Sequence, residues 1–397
     1  MNSAMDILFI AHFITEFVQD GTSRFVYIAE HLSKTHDVEL ITSRFDHITK
    51  KQRAPMDYNL KTKITLLDEP SYPKNVCLKR IFSHSEFGKQ VKKYLDSRKK
   101  PDVIYCAVPS LNCAYYAAKY AEKNNIKFVI DVQDLWPEAF GMVFNVPIVK
   151  DLVFGNIRKK ADYVYSCADV IVGVSETYCK RAESVNSKKP ECVPVFLGTK
   201  LDLFDKYASD NRVERDSNKF IIGYCGTLGH SYDIKCVLDA MKVLRERGCD
   251  NIAFWIMGDG PLRAEFESYA IENGLDVTFY GRVRYDKMCG LLTSCDVSIN
   301  PIVKGAVPSI INKHGDYAAA GHPVINTQET DEYRNLIFNN KCGINCECSN
   351  SVQVADAIQY LMSNADERKF MGENSRRVAE SLFDRNRSYE RIYEIFK

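Results

Sequence analysis

The stretch of this sequence with the clearest chemical pattern covers residues 305–325. A loop there leads into a predicted helix that begins near Ser309, and the free N–H groups and dipole of a helix start attract a diphosphate. Lys313 follows one turn later, where its ammonium can neutralise the charge that develops on a departing nucleotide. Asp316 lies on the same helix face, at a position suited to ribose hydroxyls. These residues predict a site for a nucleoside diphosphate in the second half of the chain.

Two glycine-containing turns stand at predicted strand ends in the same half of the chain. Residues 226–229 (Gly-Thr-Leu-Gly) follow a predicted strand over 220–225, and residues 258–261 (Gly-Asp-Gly-Pro) follow a strand that ends at Met257. Because glycine lacks a Cβ atom, both turns allow a ligand to approach the backbone closely. Each turn taken singly is also a common structural turn.

In the first half, residues 131–138 place three carboxylates and one of the two tryptophans after a predicted strand. The carboxyl ends of strands form the edge at which α/β sheets bind their ligands. Trp136 can stack there on a sugar ring, while Asp131, Asp134 and Glu138 can hold hydroxyls or take a proton. The alternative is a turn in which the tryptophan is buried and the acids are solvated.

The loop after the first predicted strand lacks the Gly-x-Gly-x-x-Gly pattern of nicotinamide dehydrogenases, which argues against that class. Gly21, Thr22 and Ser23 instead precede a periodic apolar segment, so they form a small polar loop at a helix start. The exposed amides of this loop can receive a hydroxyl or a phosphate. An ordinary capped helix is the equally weighted alternative.

Short apolar runs alternate with amphipathic segments of helix length along the whole chain, which is typical of βαβ units in parallel sheets. The fold class is therefore α/β, with one doubly wound sheet in each half. The predicted strands are 6–11, 38–42, 64–67, 103–107, 127–131 and 170–174, followed by 220–225, 253–257, 277–280, 297–301 and 323–326.

A shift in composition between residues 187 and 218 indicates the connection between two domains, and we place the boundary near Thr199. The predicted domains are 1–199, which would bind the acceptor, and 200–382, which would bind the donor. Residues 383–397 carry Tyr389, Ile392, Tyr393 and Phe396 on one helical face, which predicts a C-terminal helix that packs back on the first domain. Clefts between such domains are where ligands usually bind.

The bulk composition excludes several classes of protein. Lys plus Arg (53) nearly balances Asp plus Glu (52), so no positive field favours nucleic acid as a partner. The 14 cysteines form no Cys-x-x-Cys pair, and the group at Cys342, Cys346 and Cys348 lacks a fourth metal ligand, so we expect reduced thiols and no metal. No apolar run is long enough for a membrane span or a signal peptide, which predicts a cytoplasmic protein.

At these motifs the chain resembles the large family of retaining GT-B glycosyltransferases, and within it the bacterial enzymes that build capsule and O-antigen polysaccharide. The resemblance covers nearly the whole chain, in order. The first helix region carries the family pattern at Gly21, Ser23, Arg24, Leu32, His36, Val38, Ile41 and Thr42. Residues 131–138 resemble the Asp-x-x-Asp-Leu-Trp-Pro-Glu stretch of the polysaccharide enzymes, and residues 226–229, 258–261, 280–283 and 317–325 complete the donor-domain series.

The resemblance implies two Rossmann-like domains that face each other across a cleft, and it implies roles for individual residues. The amides near Ser309, Ile310 and Ile311 would bind the diphosphate, Asp316 the ribose, and the backbone at Arg282 and Val283 the base. The other donor-binding residues would be Gly226, Thr227, Gly229, Gly258, Asp259, Gly260 and Lys313. The acceptor would meet Gly21, Thr22, Ser23, Asp131 and Trp136, with Asp134 or Glu138 orienting its hydroxyl.

The implied reaction retains the anomeric configuration without a metal or a cofactor, and Lys313 with the helix start stabilises the leaving diphosphate. A UDP-sugar is favoured over a GDP-sugar as donor. Two positions depart from the family. Pro308 replaces the acid that usually holds the donor sugar, which leaves that sugar open, and Thr227 stands where arginine is usual, with His230 and Lys235 as local alternatives.

Residues 78–100 contain eight Lys or Arg against two acids, with Phe87, Val91, Tyr94 and Leu95 on one helical face. This pattern is typical of a basic amphipathic helix on an anionic inner leaflet, where a lipid-linked acceptor would lie. The alternative is that the apolar face packs on the first sheet and the lysines are solvated.

The sequence therefore predicts a cytoplasmic glycosyltransferase, peripheral on the inner membrane in the lipid-linked case. Three rival functions stay open. They are a GT-B sugar-nucleotide epimerase, a soluble enzyme that acts on free glycans, and a noncatalytic binding or scaffold protein with the same fold.

Overall fold

The computed structural model describes residues 4–18, 23–54, 56–74, 77–138, 147–306 and 310–397, with the backbone alone for residues 147–153. The chain divides into two compact units. The first contains the residues through Val195 together with Tyr389–Lys397, and the second is Phe196–Ser388. The division therefore falls a few residues before the predicted boundary at Thr199.

The first unit is built on a sheet of seven parallel strands. The strands are β1 (Asp6–Ile10), β2 (Asp37–Ser43), β3 (Lys63–Leu67), β4 (Val103–Val108), β5 (Lys127–Val132), β6 (Val170–Gly173) and β7 (Glu191–Pro194). Their order is β3-β2-β1-β4-β5-β6-β7, and every neighbouring pair is parallel. The chain direction across the sheet reverses between β1 and β4, which is the switch point at which such sheets bind ligands.

The helices of the first unit are α1 (Arg24–Leu32), α2 (Leu78–Ser97), α3 (Leu111–Asn124), α4 (Pro147–Cys167) and α5 (Glu176–Glu183). On α2, Phe87, Val91 and Leu95 are buried. The packing alternative for this helix face is therefore correct, and these three side chains cannot insert into a membrane. Their spacing of four residues places them on one side of the helix.

The C-terminal residues complete the core of the first unit. Tyr389, Ile392 and Phe396 are buried in the same cluster as the residues of β1 and β4. The predicted single helix over 383–397 is not formed. Arg385–Ser388 is a separate short helix of the second unit, and Glu390–Tyr393 and the 3₁₀ turn Glu394–Phe396 follow it.

The second unit is built on a sheet of six parallel strands. They are β8 (Phe220–Cys225), β9 (Ile252–Met257), β10 (Val277–Phe279), β11 (Val297–Asn300), β12 (Val324–Asn326) and β13 (Gly343–Asn345). Their order is β10-β9-β8-β11-β12-β13, so β8 and β11 flank the switch point. All neighbouring pairs are parallel.

Eight longer helices surround this second sheet in the described part of the chain. They are α6 (Leu201–Asp210), α7 (Ile234–Glu246), α8 (Arg263–Glu272), α9 (Tyr285–Thr293), α10 (Asn312–Ala319), α11 (Asp331–Asn340), α12 (Ser351–Ser363) and α13 (Ala365–Val378). A π-helical turn, Ala379–Phe383, continues α13. No helix of the described ranges is both long enough and apolar enough to cross a bilayer.

The predicted strands are all present within a residue of their predicted ends, whereas two strands were missed. Both β7 and β13 are edge strands, and neither presents an apolar run, since β7 reads Glu-Cys-Val-Pro and β13 reads Gly-Ile-Asn. Edge strands are exposed on one side and need less apolar sequence than central ones. The predicted connection between the domains, residues 187–218, contains a helix, α6.

Candidate active site

Helix α10 begins without a side-chain cap. The helix begins at Asn312, three residues later than predicted, and Ile311 precedes it in an extended conformation without a side-chain cap. The isoleucine side chain offers no acceptor to the first N–H groups of the helix, and of these groups the His314 N–H donates to the Ile311 carbonyl oxygen at 3.0 Å. Ile310 is buried in the core of the second unit and anchors the entry. Ser309 and Pro308 lie outside the described residues.

The ammonium of Lys313 lies over two aromatic rings. Its Nζ is 4.6 Å from the ring centroid of Tyr224 and 4.1 Å from that of Tyr232. The residue is 7% exposed, and Nζ has no hydrogen-bond acceptor among the described residues. Burial lowers the pKa of Lys313 to about 7. An ammonium with no counter-charge, close to the end of β8, is a ready binding partner for an anion.

Sequence reasoning missed both tyrosines. Tyr224 is the penultimate residue of β8, and its hydroxyl donates to the carbonyl oxygen of Thr227 at 2.8 Å. The N–H of Tyr232 donates to the carbonyl oxygen of Gly229 at 3.0 Å. The same two residues thus hold the turn 226–229 and the lysine side chain. The sequence feature that could have indicated them is the pair of tyrosines on either side of the glycine turn 226–229.

Asp316 is buried against hydroxyl donors. Its Oδ1 accepts from the hydroxyl of Thr199 at 2.5 Å and from that of Tyr285 at 2.7 Å. Burial raises the pKa of Asp316. Lys313 and Asp316 therefore contact different neighbours, although both belong to α10. The proposed contact of Asp316 with ribose stays a prediction.

His314, between these two residues, was not predicted to have a role. Its ring stacks on that of Tyr333, with centroids 3.7 Å apart and planes 8° apart. Both ring nitrogens lack a hydrogen-bond partner in the described part of the chain. Burial lowers the pKa of His314 well below its ordinary value, so the ring is neutral.

The two glycine turns of the second unit pack against each other. A Cβ atom on Gly258 would lie 1.8 Å from the carbonyl oxygen of Gly226, and one on Gly260 would lie 2.3 Å from that of Leu228. The N–H of Leu228 donates to the carbonyl oxygen of Asp259 at 3.0 Å. Gly258 and Gly260 are thus required by contact between backbones, where sequence reasoning expected contact with a ligand.

The remaining predicted donor residues line the same end of the second sheet. Thr227, Asp259 and Arg282 are exposed, whereas Gly229 and Val283 are half-buried. A Cβ atom on Gly229 would meet only the Thr227 side chain, at 3.5 Å. Of the alternatives to the missing arginine, His230 is exposed, and Lys235 is paired with Asp239 at 2.8 Å.

In the first unit, the structure argues against an acceptor role for Asp131. Its side chain is fully buried and accepts from Arg24 Nε at 2.8 Å, from the Tyr105 hydroxyl at 2.6 Å and from Gln133 at 2.6 Å. A buried carboxylate needs such partners, because burying an unpaired charge is costly. Asp131 therefore fixes α1 to the central strands.

Asp134 and Trp136 remain accessible at the end of β5. Both are half-buried, and the indole N–H of Trp136 donates to Asp134 Oδ2 at 3.1 Å. Burial raises the pKa of Asp134, which favours proton transfer at that carboxylate. Glu138 is paired with Arg181 at 2.6 Å, and Arg181 also contacts Asp162 at 2.7 Å. Of the two predicted acids, Asp134 is therefore the better candidate.

Ser23 stands at the N-cap of α1 and its side chain makes no capping hydrogen bond. Gly21 and Thr22, the other two residues of the predicted polar loop, lie outside the described residues. The loop therefore stays a prediction.

A second polar cluster, not foreseen from the sequence, lies at the same end of the first sheet. His12, Glu69 and His84 each offer a side-chain atom that could bind a metal ion, and these atoms lie within 4.8 Å of one another. All three residues are buried. The carboxylate of Glu69 already accepts from His12 Nε2 at 2.7 Å and from the hydroxyls of Ser43 and Ser83. Burial by itself would raise the pKa of Glu69, but these donors hold that pKa below its ordinary value. We assign this cluster a structural role.

Parts of this chain are similar to known glycosyl transferases. Residues 205–378 match the family model of glycosyl transferases group 1. The chain is 30% identical to 2-deoxystreptamine glucosyltransferase of Streptomyces kanamyceticus over 106 residues, 24% of this chain and 27% of that protein. It is 23% identical to the putative colanic acid biosynthesis glycosyl transferase WcaI of Escherichia coli K12, over 58% of each chain. The matches thus span 27% and 58% of these two curated relatives.

Among solved structures, HepE from Anabaena in complex with UDP superposes with a TM-score of 0.69 over 99% of both chains. The two sequences are 16% identical, so this likeness concerns the fold alone. It confirms the predicted fold class, in which each unit carries a parallel sheet with helices as in the GT-B glycosyltransferases.

Proposed function

We propose that the protein moves a sugar from a nucleotide-sugar donor to a saccharide acceptor, as the match of residues 205–378 to the group 1 glycosyl transferases suggests. The observation that carries the proposal is the ammonium of Lys313. It is buried, lies over Tyr224 and Tyr232, and has no acceptor among the described residues. Lys313 is the second residue of α10, whose start has no side-chain cap. A diphosphate would supply the negative counter-charge for the Lys313 ammonium and an acceptor for the N–H groups at the start of α10.

In the proposed reaction the bond between the sugar's anomeric carbon and the diphosphate oxygen breaks, and the electron pair leaves with the diphosphate. Lys313 and the amides at the start of α10 stabilise that charge. The acceptor hydroxyl bonds to the anomeric carbon on the same face, and its proton passes to the departing phosphate oxygen. Retention of configuration and independence of a metal are part of the proposal, and they rest on the sequence resemblance.

We propose a UDP-sugar as the donor. The support is indirect, because it comes from a neighbour in fold, HepE, that was solved with UDP. The sugar itself stays open, since Pro308 occupies the position of the usual sugar-binding acid.

For the acceptor, we propose a saccharide that stacks on Trp136 while Asp134 orients its hydroxyl. Both side chains stand at the carboxyl end of β5 and contact each other. The relative WcaI is named for colanic acid biosynthesis, which favours a lipid-linked acceptor in the synthesis of capsule, O-antigen or exopolysaccharide. Such an acceptor would place the protein on the cytoplasmic face of the inner membrane.

Thermal unfolding with a panel of nucleoside diphosphates and nucleotide sugars tests the donor site. A ligand that binds only the native state raises Tm in proportion to its affinity. We expect UDP and one UDP-sugar to raise Tm, and Lys313→Met to abolish the shift. Lys219→Met is the matched control, because the Lys219 side chain is 43% exposed and pairs with Asp276 at 2.6 Å. No shift with any nucleotide would favour the noncatalytic rival, and release of an epimerised donor without acceptor would favour the epimerase.

A further inference from the structure

Glu329, in the loop after β12, places a carboxylate against the segment that leads to α10. Its Oε2 accepts from the N–H of Gly305 at 3.0 Å. Its other carboxylate oxygen, Oε1, has no hydrogen-bond or ion-pair partner among the residues that the structure describes. The residue is exposed. One oxygen thus fixes the carboxylate, and the other can receive a ligand.

Gly305 lies on a segment that is attached to the proposed diphosphate site. Ile302 forms an antiparallel bridge with Tyr232, and Lys313 Nζ lies 4.1 Å from the ring centroid of Tyr232. Gly305 follows Ile302 by three residues, and three residues span at most about 11 Å. The carboxylate that the Gly305 N–H holds therefore lies in the neighbourhood of the proposed diphosphate site.

The loop after β13 also places Glu329 near these strand ends. In that loop the Cys348 thiol donates to the carbonyl oxygen of Ile302 at 3.0 Å. Burial raises the pKa of this thiol, and the negative charges of Glu329 and Asp233 raise it further, so both carboxylates lie near the sulfur. Asp233 directly follows Tyr232 in the sequence. Two separate contacts thus locate the Glu329 carboxylate beside the segment that pairs with Tyr232.

The structure of a nucleotide sugar provides a partner for this carboxylate. The sugar is bonded to the terminal phosphate of the diphosphate, so side chains that border a diphosphate site are within reach of the sugar's hydroxyl groups. An ionised carboxylate only accepts hydrogen bonds, and its two oxygens offer about four lone-pair sites. Oε1 of Glu329 can therefore accept from sugar hydroxyls. Its negative charge would oppose a sugar that carries a carboxylate of its own.

We propose that Glu329 binds hydroxyl groups of the donor sugar and that its charge selects a neutral sugar over an acidic one. The inference rests on the proposed function, because only a bound nucleotide sugar brings a sugar to this carboxylate. Oε2 stays with the N–H of Gly305, which fixes the side chain, while Oε1 accepts from the sugar. Asp233 adds a second negative charge nearby, and the Lys304 ammonium offsets one of the two. An acidic sugar would therefore meet a surplus of negative charge at these three residues.

Calorimetric titration of the full chain tests the role of Glu329. The ligands are UDP, UDP-glucose, UDP-galactose and UDP-N-acetylglucosamine, together with UDP-glucuronic acid and UDP-galacturonic acid. The two acids carry a carboxylate in place of the hydroxymethyl group of UDP-glucose and UDP-galactose, and we expect each to bind more weakly than its neutral counterpart. Glu329→Ala should weaken binding of the tightest neutral UDP-sugar about tenfold and leave UDP affinity unchanged, because UDP lacks the sugar.

Two further variants separate the charge of Glu329 from its hydrogen bonds. Glu329→Gln keeps an acceptor oxygen, so it should keep most of the affinity for the neutral sugar. It should also reduce the preference for the neutral sugar over the acid, because the charge is gone. Glu272→Ala is the matched control, because Glu272 is exposed and is the last residue of α8, at the opposite end of the parallel sheet. This control should bind every ligand as the unmodified chain does.

The titrations separate failure of this inference from failure of the proposed function. UDP binding with unchanged affinity for every UDP-sugar in Glu329→Ala overturns the inference and leaves the donor site standing. So does equal weakening of UDP and the UDP-sugars, or a uronic acid donor that binds more tightly than its neutral counterpart. If the unmodified chain binds neither UDP nor any UDP-sugar, the proposed function and the inference are both overturned.

Discussion

At the scale of single residues, the ammonium of Lys313 lies where its own charge is disfavoured. Burial lowers its pKa to about 7, and the two tyrosine rings compensate only in part, since no acceptor is present among the described residues. A bound diphosphate supplies the missing negative charge and raises that pKa again. Binding of the ligand is therefore coupled to the uptake of a proton by Lys313.

The first prediction follows from the sign of this coupling. At about pH 8 the free lysine is mostly neutral and the bound one charged, so UDP binding should take up most of a proton. Affinity should fall as pH rises above 7, because deprotonation of the free protein then competes with binding. Calorimetry in buffers of different ionisation enthalpy measures the uptake. Lys313→Met should show neither the uptake nor the pH dependence, and uptake that persists in this variant would refute the coupling.

The second prediction concerns Tyr232 as a positioning residue for the ammonium. Tyr232→Phe keeps an aromatic face under Lys313 and should leave UDP affinity nearly unchanged. Tyr232→Leu removes the face and should weaken binding by about 1 to 2 kcal/mol. Calorimetric titration with UDP compares the two variants, and their urea midpoints serve as a check on folding. If both variants lose affinity equally, the ring face is not what holds the lysine.

At the scale of elements, two turns of the second unit, one after β8 and one after β9, touch through their backbones. The contact leaves no space for a side chain at Gly258, since a Cβ atom there would lie 1.8 Å from the carbonyl oxygen of Gly226. Gly226 itself has φ of 144°, a conformation that side chains rarely adopt. The geometry of the donor end of the sheet therefore depends on these two glycines.

The third prediction is that Gly258→Ala lowers the free energy of unfolding by about 3 kcal/mol, because the turns must separate to admit the methyl group. Gly229→Ala is the control in the same pair of turns, since its Cβ would make only an ordinary contact with Thr227 at 3.5 Å. It should change stability by less than about 0.5 kcal/mol. Urea unfolding of both variants provides the comparison, and equal stability would show that the turns are free to separate.

At the scale of the whole molecule, the C-terminal residues Tyr389–Lys397 belong to the first unit. Tyr389, Ile392 and Phe396 are buried in the core of the first unit, and the Lys127 ammonium donates to the carbonyl oxygen of Ile395 at 2.8 Å. A chain that stops at Ser388 therefore lacks part of that core, whereas the core of the second unit is complete.

The fourth prediction is that removal of Tyr389–Lys397 destabilises the first unit selectively. The chain has two tryptophans, and Trp136 lies in the first unit while Trp255 lies in the second. With Trp255→Phe, fluorescence reports the first unit alone, and its urea midpoint should fall by a large fraction in the shortened chain. With Trp136→Phe, the midpoint of the second unit should stay unchanged. Equal shifts in both would contradict the assignment of the last residues.

Much of this protein could be predicted from local sequence. The alternation of apolar runs and amphipathic segments located every central strand, because a parallel sheet buried on both faces requires continuous apolar sequence. The motifs around Trp136 and Lys313 indicated the GT-B fold and the end of each sheet at which chemistry is expected. Edge strands such as β7 carry no such signal, since they need little burial.

What only the tertiary structure decided is which polar groups are already satisfied. The sequence presents Asp131 and Asp134 as equivalent acids. In the structure Asp131 is buried and accepts hydrogen bonds from Arg24, Tyr105 and Gln133, whereas Asp134 is half-buried. The face of α2 that meets solvent was likewise settled by packing. Hydrogen bonds and burial arise between segments far apart in the chain, so the sequence determined which residues carry chemistry, and their surroundings decided which of them are available for it.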